Sequence, residues 1–589
     1  MPGRGAGRRL NTTTIRMVSV IVIFVLAWVG LGYRLFQVQV VKADELRELG
    51  DRQRMVERTL PPQRGTIFDR NGDLLATTVD AQSIYAVPNE VKDPVLTAQQ
   101  VGIITAQPWE PILERLQSGG NFVYLARQVE PEIATQVMDI GLAGVFTETE
   151  ASREYPAGDS AAQVVGYVDI DGNGNEGLEY QYGCNQDDGE RDDCDDVLRG
   201  TPGSILYERD RLGNPIPQGR REEVPPVPGL DLVTSIDLPL QYSAQESCRA
   251  ARERTEATAC WIVVLDVESG EVLALAGAPA FNPETRLDAE GNPFSNFVVR
   301  GQYEPGSIQK MVTVSAALDS DVVEANTVIP SVASRIEINP GACASGTDDI
   351  YGCYSDAAPH PTESMRVSEV IARSSNVGTI KIGQRLEPET LYEYLERFGF
   401  GTTTGIDLSG EAAGAYNDDA SCEVCIASMS IGYTVAATPL QMATAYAAIG
   451  NDGVWTQPHI VTDKVDADGS IVEVQPETRR VVSEETAATV RELLAGVVES
   501  GTASNAKVSG YRVGGKTGTA NKIDENGNYT NETTASFVGL APIDDPKVVV
   551  GVVVDEPKTK ARFGATAAAP VFSEVMEQAL HRMGVTPDG

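Results

Sequence analysis

Tyr303-Glu-Pro-Gly-Ser-Ile-Gln-Lys-Met-Val-Thr-Val-Ser-Ala-Ala-Leu318 is the stretch from which the rest of the chain can be read. Pro305-Gly306 forces a turn, and an apolar helical pattern, Ile308–Leu318, starts immediately after it. Ser307 therefore stands at a helix N-terminus, where free backbone N–H groups and the helix dipole favour developing negative charge. Lys310 follows one turn on, with its amine on the same face as the hydroxyl. A serine hydroxyl is a poor nucleophile without a base, and a lysine whose pKa is pulled down by burial can be that base. The spacing alone is weak. Ser504-Asn-Ala-Lys507 repeats it in a Gly/Ser-rich stretch with no apolar helix behind it.

Two further motifs follow in order. In Ser374-Ser-Asn376, the Ser374 hydroxyl can relay a proton between Lys310 and a leaving group, and the Asn376 amide can hold a substrate carbonyl; Asn376 is the one asparagine with serine two positions before it. Lys516-Thr-Gly-Thr519, within Gly514–Ala520, reads as a strand whose glycines let a ligand backbone come close. Lys516 and the threonine hydroxyls there suit a carboxylate, and the Thr519 N–H can join that of Ser307 in an oxyanion hole. Any one motif is as readily an ordinary surface or core segment. The ordered trio is different, because it uses two of only eleven lysines in 589 residues.

Outward from these motifs the pattern is α+β. Trp261–Ala276 is two apolar runs around Glu268-Ser-Gly270, a hairpin by pattern. Leu440–Ile449 reads as a buried helix, Lys547–Asp555 as a buried strand and Pro570–Met583 as a closing amphipathic helix. Mixed strand and helix fill residues 60–225, and the Pro-rich Gly219–Gly229 reads as a linker. The expected organisation is a tail at 1–16, a membrane segment at 17–36, a pedestal at 37–225 and a catalytic domain at 226–589.

Arg4, Arg8, Arg9 and Arg16 precede an apolar run from Met17 to Tyr33, extendable to Phe36. Its 17 to 20 residues span roughly 25–30 Å, enough to cross a bilayer core. The basic flank belongs in the cytoplasm and the remainder outside. A cleaved signal peptide is the rival, with Gly30-Leu-Gly32 as its site, but the run is long for such a segment and continues past that site. Val40–Asp51 reads as a helical continuation. Eight cysteines in close pairs (Cys184/Cys194, Cys248/Cys260, Cys343/Cys353, Cys422/Cys425) fit disulfides in an oxidising compartment. A lone CxxC at Cys422 is a poor zinc site.

A net charge of −37 argues against nucleic acid as a partner. Three histidines, with no HExxH run and no G-x-S-x-G elbow, leave little room for a zinc protease or a Ser-His-Asp hydrolase. Asp169-x-Asp171-x-Asn173-Gly174 starts like a calcium loop but has Tyr180 where the bidentate Glu belongs. Cys184–Asp196 reads as an acidic exposed loop tied at its base.

The trio resembles the S-x-x-K, S-x-N and K-T-G set of penicillin-binding proteins and serine β-lactamases. The likeness continues through Arg64-Gly-Thr-Ile-Phe-Asp-Arg-Asn-Gly72, Arg153-Glu-Tyr-Pro156, Val165-Gly-Tyr167, Glu176-Gly-Leu-Glu179, Thr234–Gln241 and Ser430-Ile-Gly-Tyr433 with Thr438–Ala443. These are similar to the pedestal and transpeptidase signatures of class B penicillin-binding proteins. Val554-Asp-Glu-Pro557 and Phe563–Phe572 are most similar to the septal, cell-division branch, while the acidic Cys184–Cys194 insertion departs from the family.

The resemblance implies a bacterial cell-membrane protein with one membrane pass, an elongated pedestal and a β-lactamase-like domain of antiparallel sheet flanked by helices. It implies a peptidoglycan D,D-transpeptidase without cofactor or metal. Ser307, Lys310, Ser374, Asn376 and Lys516 would be catalytic, and Thr517, Gly518 and Thr519 would bind substrate. The substrates would be stem peptides on nascent glycan strands, and β-lactams would acylate Ser307. A membrane glycosyltransferase and division proteins are the implied partners. The rivals are a side-wall transpeptidase, a membrane-anchored β-lactamase-like hydrolase and an inactive scaffold of the wall machinery.

Overall fold

A computed structural model describes residues 11–183, 197–210, 216–288, 291, 295–345, 352–524 and 528–588. The chain forms two compact units, Met1–Pro62 with Thr201–Val227, and Gln63–Gly200 with Pro228–Gly589. The Cys184–Asp196 insertion lies outside the described residues.

The first unit begins with the helix Thr12–Phe36, whose apolar side chains, Phe24, Leu26 and Trp28 among them, are all exposed. It is the one helix among the described residues long and apolar enough to cross a membrane, and it fits a single-pass anchor. A widened turn, Gln37–Val41, leads to the polar helix Ala43–Arg54, so the expected continuation is present but broken at Lys42. Strand Met55–Leu60 pairs antiparallel with Gly203–Glu208, which pairs in turn with Arg221–Val224. The stretch Gly219–Gly229 is therefore not simply a linker. Its prolines begin only after Arg221–Val224 has made its ladder; Pro225 and Pro226 interrupt the pairing, which resumes once, at Val227 with Thr201, before Pro228.

The second unit is organised by a five-stranded antiparallel sheet in the order Val272–Ala278, Ala259–Asp266, Val548–Asp555, Tyr529–Ala541, Gly514–Ile523. Val548–Asp555 is buried along its whole length because it is the central strand and helices cover both faces. The two faces can be told apart by neighbouring glycines. Gly551 faces Ala443 of the helix Pro439–Gly450, whereas Gly539, one residue past the Val538 that pairs with Gly551, faces Phe572 of the helix Ala569–Arg582. The helix Leu238–Thr255 packs beside the latter. Every residue of Pro439–Gly450 is buried, as its largely apolar sequence requires, and its polar Gln441 and Thr444 are hydrogen-bonded within. The expected hairpin, buried helix, buried strand and closing helix are all present.

A second sheet combines both sequence halves. Leu74–Ala86 pairs with Val123–Val129, Val145–Glu154 and Ile67–Phe68. Ile67–Phe68 pairs parallel with Asp231–Thr234, and Val461–Val465 and Ile471–Glu473 complete it. A small separate core around Ile84, Val101, Ile112 and Leu125 fills the outer part of this lobe.

Three distant signatures meet in one buried cluster. Arg64 Nε and Arg153 Nε each donate to the fully buried Glu179 carboxylate at 2.6 Å. Burial alone would raise the Glu179 carboxyl, and Arg153 and Arg64 hold it below the usual range. The calcium-like loop is satisfied from within, since the Asp169 carboxylate accepts the Asp171 and Asn173 N–H groups at 2.9 Å. Disulfides join Cys248 to Cys260, Cys343 to Cys353 and Cys422 to Cys425, and no cysteine is free among the described residues. Glu179→Ala leaves two buried guanidinium groups without their carboxylate and should destabilise the folded protein by about 3–5 kcal/mol, read from denaturant unfolding. A loss of less than about 1 kcal/mol would show that the cluster carries no such role.

Candidate active site

The turn before Ser307 is built by close backbone approach. Gly306 donates its N–H to the Gly432 carbonyl at 2.9 Å, and Gly432 has φ +86°. A Cβ at Gly432 would lie 2.0 Å from the Gly306 oxygen, so only glycine fits in the Ser430–Tyr433 turn. Gly306–Gln309 is a 3₁₀ turn that runs directly into the α-helix Lys310–Asp319. The turn is anchored from the buried helix behind it, where Tyr446 donates its hydroxyl to the Ile308 carbonyl at 2.9 Å. On the other side runs strand Gly514–Ile523, and a Cβ at Gly518 would meet Ser536 Oγ at 2.3 Å and the Pro305 oxygen at 2.8 Å. The expected helix start and strand are thus seen, while the close approach at Gly518 is made by the chain's own Ser536 and Pro305.

These elements bring the three motifs together. Ser307, Ser374, Asn376, Thr517, Gly518 and Thr519 line one cleft. Lys310 Nζ donates to Asn376 Oδ1 at 2.6 Å and to the Ser374 carbonyl at 2.7 Å, with Ser374 Oγ at 3.3 Å. Lys516 Nζ donates to the same Ser374 Oγ at 2.8 Å and to the Thr517 carbonyl at 3.2 Å. Thr519 donates its hydroxyl to the Gly518 carbonyl and accepts the Gly564 N–H. Thr517 Oγ1 lies 3.4 Å from Thr502 Oγ1. By contrast, Ser504 lies in a short 3₁₀ turn, Ser504–Ala506, away from the cleft lining.

Both amines are almost fully dry, at 0% exposure for Lys310 and 1% for Lys516. Burial, repulsion from Lys516 and, in the opposite sense, attraction from Asp356 leave the Lys310 amine well below its ordinary value. Burial lowers Lys516 to about 7. A neutral amine keeps two N–H donors and one lone pair. Lys310 can spend its donors on Asn376 and the Ser374 carbonyl, leaving the lone pair for a hydroxyl proton. Ser374 Oγ, accepting from Lys516, can then pass a proton between the two amines. Ser374 itself is strained, with φ +57° in a non-glycine residue.

One neighbour was invisible in the sequence. Asp356 lines the cleft and accepts from Ser375 Oγ at 2.7 Å and Val377 N at 2.9 Å. A lone aspartate among 84 acidic residues carries no motif signal. The Cys343/Cys353 pair just before it was the only local mark.

Residues 260–577 match the penicillin binding protein transpeptidase domain, and residues 59–234 match the penicillin-binding protein dimerisation domain. The chain is a class B penicillin-binding protein. It is 33% identical to the probable peptidoglycan D,D-transpeptidase PenA of Neisseria meningitidis, over all of this chain and 96% of the relative. It is 30% identical to the peptidoglycan D,D-transpeptidase FtsI of Escherichia coli, over 94% of this chain and 90% of that protein. Among solved structures, penicillin-binding protein 3 of Mycobacterium tuberculosis in complex with aztreonam superposes with a TM-score of 0.68 at 30% identity, covering 90% of this chain and 98% of that one. As a member of this family the chain is a serine-type peptidoglycan D,D-transpeptidase.

The dry amines generate a direct test. In a sample labelled with ¹⁵N at lysine Nζ, the Lys516 resonance should titrate at about 7, against about 10.4 for a free lysine. Lys310 should also stay neutral well below the free value. Two ordinary lysine titrations would refute the site's electrostatics.

Proposed function

We propose that this class B transpeptidase cross-links stem peptides through an acyl-serine at Ser307 during septal wall synthesis. The observation that carries the chemistry is the hydrogen-bonded chain from Lys310 through Ser374 to Lys516 in the cleft that holds Ser307. Ser307 Oγ attacks the penultimate D-Ala carbonyl while its proton passes to the neutral Lys310 amine. The proton returns through Ser374 to the departing D-Ala amine, and Lys516 with Thr517 and Thr519 receives the terminal carboxylate. Asn376 orients the substrate, the strand backbone at Gly518 and Thr519 lies along it, and the N–H groups of Ser307 and Thr519 hold the oxyanion. An amine of a second stem peptide then resolves the ester. β-Lactams enter as substrate mimics, a reading supported by the aztreonam complex of the mycobacterial relative.

The positive flank of Arg4, Arg8, Arg9 and Arg16 supports a cytoplasmic N-terminus with the catalytic domain outside. The septal assignment is supported by the likeness of Val554–Pro557 and Phe563–Phe572 to the division branch; Phe563 lines the cleft. A membrane glycosyltransferase would supply the glycan strand, and division proteins would engage the pedestal and anchor.

Ser307→Ala should abolish covalent labelling by a fluorescent penicillin, and Ser504→Ala should retain it. Lys310→Ala should slow acylation by about 10²–10⁴-fold. Persistent labelling of folded Ser307→Ala would overturn the nucleophile. In cells, depletion should block division while growth continues, giving filaments or chains. Rounded cells with normal septa would instead remove the septal role and leave the transpeptidase.

A further inference from the structure

The turn that carries Ser374 and Asn376 is held from outside the three motifs. Asn376 donates its side-chain amide to the Ser355 carbonyl at 2.7 Å, which fixes the orientation in which Oδ1 meets Lys310. The next residue, Asp356, receives the Ser375 hydroxyl on Oδ2 at 2.7 Å and the Val377 N–H on Oδ1 at 2.9 Å. One carboxylate thus clamps the residues on both sides of Asn376. The left-handed backbone of Ser374, an unfavourable state for a serine, persists because its neighbours are held in this way.

The clamp is itself braced. Strand Cys353–Ser355 pairs with Arg335–Glu337, and the Cys343–Cys353 disulfide ties the same strand. His360 Nε2 lies 2.9 Å from Asp356 Oδ2, and its other ring nitrogen meets the Pro361 carbonyl. The charged and titratable groups around Asp356 are Lys310 on the cleft side, itself repelled by Lys516, then His360 on its own loop, and Glu363 and Arg373, which pair with each other beyond His360. Asp356 is the one acid acting on Lys310 in this set, and it favours the protonated amine.

We propose that Asp356 is a positioning residue of the acylation site, fixing the turn that presents Ser374 and Asn376 to Lys310. The inference rests on Lys310 acting as the base, and it assigns to a cleft-lining residue, whose carboxylate is engaged by Ser375, Val377 and His360, a role exerted through the turn. Removing the carboxylate loosens the turn and also withdraws a negative charge from Lys310. The second effect has a definite sign: without the acid, Lys310 loses its proton more readily, and the alkaline-rising limb of acylation moves to lower pH.

The test uses the full chain in detergent, with second-order acylation by a fluorescent penicillin measured across pH. Asp356→Ala should slow acylation about tenfold or more at its optimum, from the loss of two hydrogen bonds to a charged acceptor. Asp356→Asn keeps an acceptor for the Val377 N–H, so it should fold, lose less rate, and still show the limb displaced to lower pH. A slowed Asp356→Asn with an unmoved limb would mark a merely structural residue and overturn the proposal. Rates within about twofold of wild type in both variants, with unmoved limbs, would overturn it too. Lys310→Ala serves as the internal control. If that variant acylates normally, it is the assignment of the base that fails; if it is inactive while both Asp356 variants behave as wild type, it is the positioning role that fails.

Discussion

Two buried lysine amines converge on one serine hydroxyl at the floor of a cleft, and most of the surrounding structure serves that arrangement. Burying an ammonium costs several kcal/mol, and two in contact with one acceptor repel each other as well. The site is stable because the amines need not both be charged. Lys310 comes from the helix Lys310–Asp319, Lys516 from the strand Gly514–Ile523, and Ser374 from a strained turn between them in sequence. Each is fixed by packing that has nothing to do with chemistry: Tyr446 behind the Ser307 turn, Gly432 against Gly306, and Ser536 against Gly518. The five-stranded sheet is the common platform on which the strand and the buried helix are placed.

The parts legible in the sequence were those with a period or a forced turn. Pro305-Gly306 announced a helix start, Glu268-Ser-Gly270 a hairpin, and the largely apolar runs at Leu440 and Val548 announced buried elements. The trio was legible because lysine is scarce and its context is chemical. What could not be read were interactions formed by single residues across long separations. Asp356 meets Ser375 and Val377 without any local signature, and Arg64 meets Glu179 from 115 positions away. The strand Arg221–Val224 was hidden because its four residues are all exposed and its prolines follow at once. Neither hydrophobic alternation nor burial marks such a strand, only its partner does.

The disulfides show a similar division of labour. Pairing by closeness in sequence was sufficient for all three pairs within the described residues, the expected Cys184/Cys194 pair lying outside them, since loops of this length close at little entropic cost. Their placement was not legible. Cys248–Cys260 fastens the helix Leu238–Thr255 to the strand Ala259–Asp266 inside the core, whereas Cys343–Cys353 braces a wall of the cleft, and Cys422–Cys425 caps the helix Glu423–Met429 before the Ser430–Tyr433 turn. Two of the three therefore support elements that line the Ser307 cleft.

The sheet shared by the two sequence halves sets an order of events during synthesis. Strand Ile67–Phe68 emerges early, yet its parallel partner is Asp231–Thr234, and Thr66 must wait for Asp231, 165 residues later. Val461–Val465, on the far side of that partner, comes later still. Until then the growing sheet presents an open strand edge, first at Ile67–Phe68 and then at Asp231–Thr234, the kind of surface that invites pairing with other chains. Long sequence separation between partners also slows the search for the native arrangement. The nascent protein thus spends most of its translation incomplete, and its yield depends on how well that edge is shielded until the last third of the chain arrives.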